Sequence, residues 1–190
     1  MMSTVRRVHY TYAEYLALEE ESSVRHEYLD GEIYAMAGGS PDHAALAAAL
    51  ISAIRSQLPP GCRMFTSDLR VRVPETGLST YPDAAVVCGR TQRAADDALA
   101  VVNPVLLVEV TSPSTEEYDR NEKLRHYKNL PSLREVLIVS HREPHLTLHR
   151  REESGWSVLI AERAGVLTLA SVAVRVEVDE VYRDDLEDCD

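Results

Sequence analysis

Val105-Leu106-Leu107-Val108-Glu109-Val110 is an apolar run interrupted by a single carboxylate. Burying an ionised carboxylate is costly unless it is paired or binds a metal. Glu109 therefore either reaches water or an arginine at a strand end or serves a site. A second acid, Asp83, follows Tyr81-Pro82 and opens the run Ala84-Ala85-Val86-Val87-Cys88. Pro-Asp alone is a common turn. Two carboxylates at adjacent ends of neighbouring strands, however, make a hard-oxygen site suited to Mg²⁺ or Mn²⁺, ions that keep positions open for phosphate and water. Such an ion can activate water and offset the charge of a phosphodiester transition state. A lysine would complete the set, orienting or deprotonating the water and neutralising the phosphate. Lys123 is the candidate, unless it only pairs on a helix surface with Asp119, four residues earlier.

The chain around these residues reads as an α/β fold, a mixed central β-sheet flanked by α-helices. Thr11 and Glu14 fit a capping box for a short helix to Glu20, and Asp30-Gly31 suits a tight turn between strands His26–Leu29 and Ile33–Met36. Ser40-Pro41 opens a helix over Asp42–Leu58, where Leu46, Leu50 and Ile54 recur every four residues. Strands follow at Arg63–Thr66, Asp68–Val73 and Ala84–Cys88. Val105–Val110 reads as a strand covered on both faces. With the helix Glu116–Leu130 and the strand Val136–Val139 it makes a β-α-β unit that carries Lys123 back towards the sheet. Further short strands are expected at His145–His149, Trp156–Ile160, Val166–Leu169 and Val172–Val178, the last of them strand or helix.

The ordered series Glu27-Tyr28-Leu29-Asp30-Gly31-Glu32, His43, Tyr81-Pro82-Asp83, Leu106-Leu107-Val108-Glu109-Val110-Thr111-Ser112-Pro113, Asp119, Glu122-Lys123 and Tyr127 resembles the Uma-type restriction-endonuclease family, within the PD-(D/E)XK nucleases. The resemblance runs from about Tyr12 to Val139. It implies an Mg²⁺- or Mn²⁺-dependent endonuclease acting on DNA, with Asp83 and Glu109 as metal-holding acids and Glu27 as an accessory acid beside them. One position departs: the usual lysine two residues beyond the second acid is Thr111, and the resemblance implies that Lys123 has taken its role. Two other readings remain, a catalytically inactive nuclease fold used as a binding or regulatory module, and a hydrolase of a small phosphorylated substrate.

With 190 residues, one domain is expected, carrying an acidic C-terminal tail. No apolar stretch approaches the length of a membrane-spanning helix, the N-terminus lacks a secretory apolar core, and Cys62, Cys88 and Cys189 are too scattered for a metal motif, all of which suits the cytoplasm. A homodimer would suit the cutting of both strands of a duplex. Against DNA stands the charge, 20 Lys plus Arg facing 31 Asp plus Glu for −11. Arg63, Arg70, Arg72, Arg120 and Arg125 could form a basic rim to the cleft, or belong to a charge-balanced surface. His43 could line the cleft or pack, His145 and His149 read as solvated strand histidines, Ser112 reads as a turn residue, and no Gly-rich phosphate loop occurs.

Overall fold

The computed structural model describes residues 9–36 and 38–183. Helix α1 (Tyr12–Glu21) starts at the expected box, with the Thr11 hydroxyl accepting from the Glu14 amide while the Glu14 carboxylate accepts from the Thr11 amide at 2.7 Å. Strands β1 (His26–Leu29) and β2 (Glu32–Ala35) pair antiparallel across Asp30 and Gly31, whose φ of 47° and 83° are the positive angles that a two-residue turn demands. Helix α2 (Pro41–Arg55), capped by Ser40, stops three residues short of the expected end. Just beyond it the Gln57 side chain donates to the Ala53 carbonyl of the helix and bonds both the carbonyl and the amide of Arg175.

Strands β3 (Cys62–Thr66), β4 (Val71–Val73), β5 (Leu78–Thr80), β6 (Ala84–Cys88) and β7 (Leu106–Val110) follow. The strand expected from Asp68 begins only at Val71, because Thr66–Leu69 closes a turn and Arg70 is drawn away to Asp97. β5, the strand that leads into Tyr81-Pro82-Asp83, was not foreseen; with three residues it is too short to show alternation. A helix then runs as α3 (Glu116–Tyr118), a π-helical turn (Asp119–Lys123) and α4 (Leu124–Tyr127). Strands β8 (Glu135–Val139), β9 (His145–Glu152), β10 (Gly155–Glu162), β11 (Val166–Leu169) and β12 (Val174–Glu177) complete the sheets. The ambiguous last segment holds both forms, since β12 passes into α5 (Val178–Val181). Most of the expected acidic tail lies outside the described residues.

A six-stranded sheet ordered β10-β9-β8-β7-β6-β3 forms the centre, a four-stranded sheet β2-β1-β5-β4 lies beside it, and β11 pairs with β12. The central sheet is mixed: β7 and β8 are parallel, as the β-α-β reading requires, and their neighbours antiparallel. Alternation along β7 explains both cores. Leu106, Val108 and Val110 pack with Leu50 and Ile54 of α2, whereas Leu107 packs with Leu124, Tyr127 and Leu130. Glu109 therefore points to the side of the α3–α4 helix. Cys62 and Cys88, read from sequence as unrelated thiols, stand opposite each other on β3 and β6 and form a disulfide. Their separation of 26 residues gives no hint of this without the strand pairing. Among the described residues no helix is long and apolar enough to cross a membrane.

Candidate active site

Register brings the two acids together. Ala84 pairs with Val108 across β6 and β7, so continuing the antiparallel pairing by one residue sets Asp83 opposite Glu109. Asp83 Oδ2 accepts the Val110 amide at 2.7 Å, closing the ladder with a side chain where β6 has not yet begun. The same oxygen lies 3.3 Å from His43 Nε2, which comes from the first turn of α2. That hydrogen bond raises the His43 pKa, against the opposing effect of burial.

Lys123 reaches back from the helix as expected. Its Nζ lies 3.0 Å from Glu109 Oε1, 3.1 Å from Glu27 Oε1 and 3.6 Å from Asp119 Oδ1. The pairing with Asp119 is thus real, but it is buried rather than on the surface, Asp119 being 5% and Lys123 4% exposed. The π-helical turn spans Asp119 to Lys123, and such single turns are concentrated at functional sites. Glu27 arrives from β1, where Thr80 of the unforeseen β5 donates its hydroxyl to it. Tyr127, one turn beyond Lys123, donates its hydroxyl to Glu109 Oε1.

Charge is out of balance here. Burial, reinforced by Asp119 and Asp83 and only partly offset by Lys123 and Tyr127, pushes the Glu109 carboxyl up to about 8. Burial likewise raises Asp119, with Glu27 and Asp83 adding to it and Lys123 opposing. For Lys123, burial alone would favour the neutral amine, but Glu109, Tyr127, Glu27 and Asp119 together hold its pKa well above the usual lysine value. The group is therefore an ammonium that donates, and deprotonating a water is not within its reach in this state.

The four acids, Lys123 and His43 line an open cleft of about 790 Å³, floored by Val110 and walled by Ser112 to Thr115 and Tyr118. Among the described residues, Asp83 Oδ1 and Glu109 Oε2 are taken by no protein hydrogen bond or ion pair, and no three His, Cys, Asp or Glu side chains close into a metal cage. Two hard oxygens among surplus negative charge fit a small dication that retains most of its water. Four acids around one ammonium are what such an ion would relieve.

Thr111 follows β7 fully buried, and its hydroxyl is tied to His141 Nδ1 at 2.8 Å. A lysine there would have to break that contact. Asp119 and Tyr127 are neighbours of the candidate site that residue types alone did not single out; the i,i+4 spacing of Asp119 to Lys123 was the available signal. Of the arginines considered for a basic rim, Arg70 is bound to Asp97 at 2.7 Å, Arg72 to Asp96 at 3.3 Å and Arg120 to Glu116 at 3.2 Å. His145 and His149 lie on β9, outside the cleft lining.

The structure is similar to that of a protein from Anabaena variabilis, described as a putative nuclease belonging to DUF820, with a TM-score of 0.73 and 20% identity over 91% of this chain and 97% of that one. Two proteins of Synechocystis sp., both described as uncharacterized, are similar in sequence. The protein slr1290 is 37% identical over 90% of each chain, and sll1609 is 34% identical over 68% of this chain and 73% of its own. The Uma2 family model, described as "Putative restriction endonuclease", matches residues 12–178, a span that holds every residue of the cleft, and the chain belongs to that family.

Proposed function

We propose that the cleft hydrolyses phosphodiester bonds in DNA as an endonuclease dependent on Mg²⁺ or Mn²⁺. The observation that carries this reading is the buried ammonium of Lys123, held within 3.6 Å of three carboxylates beside the open oxygens of Asp83 and Glu109. Asp83 and Glu109 would hold the ion, which supplies Lewis-acid polarisation of the phosphoryl oxygen and acidifies a water. Glu109 must lose its proton to take part. Lys123, fixed by Glu27 and Asp119, directs its remaining N–H towards a non-bridging oxygen, where charge grows in the transition state. Tyr127 orients Glu109, and His43 with the Val110 amide orients Asp83. Glu27 acts as the accessory acid that anchors Lys123. Two copies related by a two-fold axis would place one cleft on each strand of a duplex.

Cleavage of supercoiled and linear DNA at fixed Mg²⁺ and salt tests the reading. Lys123→Ala should lose about 10²–10³-fold in rate, the usual effect of removing one oriented donor of this kind, while the protein remains folded. Cleavage by Lys123→Ala at the wild-type rate would reduce Lys123 to a structural partner of the acids. DNA binding without cleavage by the wild type would favour the inactive nuclease-fold module.

A further inference from the structure

Three arginines not tied to acids gather away from the cleft. Arg63, Arg90 and Arg93 line a groove of about 920 Å³ between edge strand β3 and the 89–101 segment, together with Phe65, Leu69 and Leu99, and no acidic residue lines it. In a chain with 31 acids and a net charge of −11, an acid-free concavity with three arginines is an exception. Among the described residues no ion pair engages any of the three, in contrast to Arg70, Arg72, Arg120 and Arg150. Arg63 lies over the ring of Phe65, 5.8 Å from its centroid, and donates to Thr91 Oγ1 at 2.6 Å. The opposite wall is braced rather than loose. The Gln92 amide and the Arg90 carbonyl are both held by the Asn103 side chain, and Arg93 bridges to Val101.

We propose that this groove binds single-stranded nucleic acid, the three guanidiniums taking backbone phosphates while Phe65, Leu69 and Leu99 receive unstacked bases. The proposal rests on the phosphodiester reading of the cleft, since it names where an unpaired stretch of the substrate polymer is held. Leu99, 71% exposed, and the half-buried Phe65, the chain's one phenylalanine, place apolar surface side by side in the groove. Arginine planes beside an aromatic ring form the surface on which unpaired bases stack without regard to sequence. The net charge of −11 repels a polyanion, and three arginines in an acid-free groove offset that repulsion locally. Phe65 pairs with Ala85 and Ala85 with Leu107, which places Phe65 on the same side of the sheet as Glu109.

The test is fluorescence anisotropy with a labelled single-stranded oligothymidylate in EDTA, so that no cutting occurs. The triple variant Arg63→Ala/Arg90→Ala/Arg93→Ala should bind about tenfold or more weakly and lose about 2 from the slope of log K against log salt. All three positions are exposed, and Arg90→Glu alone should weaken binding in the same direction should the triple variant fold poorly. Phe65→Leu should weaken binding about fivefold, the low end of the effect of one lost stacking platform. A triple variant that binds with wild-type affinity and slope overturns the groove, as does a wild type that does not bind the oligonucleotide. Duplex binding as tight as single-strand binding overturns its preference for unpaired bases. The cleft is judged separately: a wild type that binds through the groove but cuts nothing with Mg²⁺ or Mn²⁺ leaves the groove standing and removes the catalytic reading.

Discussion

Glu109 and Glu135 are both buried glutamates on neighbouring parallel strands, 4% and 1% exposed, and they have opposite surroundings. Glu135 is saturated. Arg150 Nε donates to it at 2.8 Å, the amides of Ala170 and Ser171 at 3.1 and 2.9 Å, and the Ser171 hydroxyl completes the shell. It fastens β8 and β9 to the turn after β11, and its charge is matched. Glu109 shares one ammonium with two other acids, faces Asp83 besides, and keeps Oε2 open to the cleft. The difference teaches how to read a buried acid. One whose oxygens are all satisfied holds the fold together, whereas one crowded by its own kind carries a strain that a bound cation would relieve.

The largest expected effect separates these two roles. Glu135→Ala should cost about 3–5 kcal/mol, because it strips Arg150 of its acidic partner and takes the acceptor from the part-buried amides of Ala170 and Ser171. Glu109→Gln should leave metal-free stability near pH 8 unchanged or raised, because it removes repulsion with Asp83 and Asp119 while Lys123 keeps Glu27 and Asp119. Denaturant unfolding of both variants decides it. Equal destabilisation would erase the distinction between the two glutamates.

A second effect lies in pH. The Glu109 pKa rises from 4.5 to about 8 on folding, so the folded state keeps a proton that the unfolded state releases across that window. The contribution of Glu109 to metal-free stability should therefore be fullest below about 4.5 and fall as pH rises towards 8, whereas Lys123, raised above its usual value, stays protonated throughout. The difference in stability between wild type and Glu109→Gln, followed by thermal melts, should carry this slope. A difference independent of pH would contradict the strained state of Glu109.

The smallest effect concerns His43. Its pKa is raised by Asp83, so its contribution is present below 6.5 and lost as pH climbs through the raised value. His43→Gln should cost about 0.5–1 kcal/mol near pH 6 and less near pH 8.5. A loss that grows with pH would show that the imidazole packs rather than pairs.

How far the sequence reached follows from the same two glutamates. Asp83 and Glu109 were legible because each adjoins an apolar run, and the β-α-β pattern correctly predicted that Lys123 returns to the sheet. Glu135 adjoins the run Val136-Leu137-Ile138-Val139 in the same way, yet nothing local distinguishes it. Its partners lie 15 to 36 residues ahead in the chain, on β9 and beyond β11. Asp119 and Tyr127 acquire meaning only when the helix is docked, since a π-helical turn has no sequence period of its own. The short β5 and the pairing of Cys62 with Cys88 depend on neighbours brought up by the sheet rather than on local propensity. In sequence the arginines fit either a cleft rim or a charge-balanced surface, and in the fold Arg70 and Arg72 are paired with the buried Asp97 and the exposed Asp96.

Calorimetric titration of Mn²⁺ into wild type and Glu109→Gln, at pH 6 and pH 8.5, tests the central claim most directly. The ion can bind only where Glu109 gives up its proton. Wild type should therefore bind Mn²⁺ more tightly at the higher pH with release of protons, and Glu109→Gln should lose binding at both. Mn²⁺ affinities that are equal in the two proteins and indifferent to pH would contradict the assignment of this cleft as a metal-dependent centre.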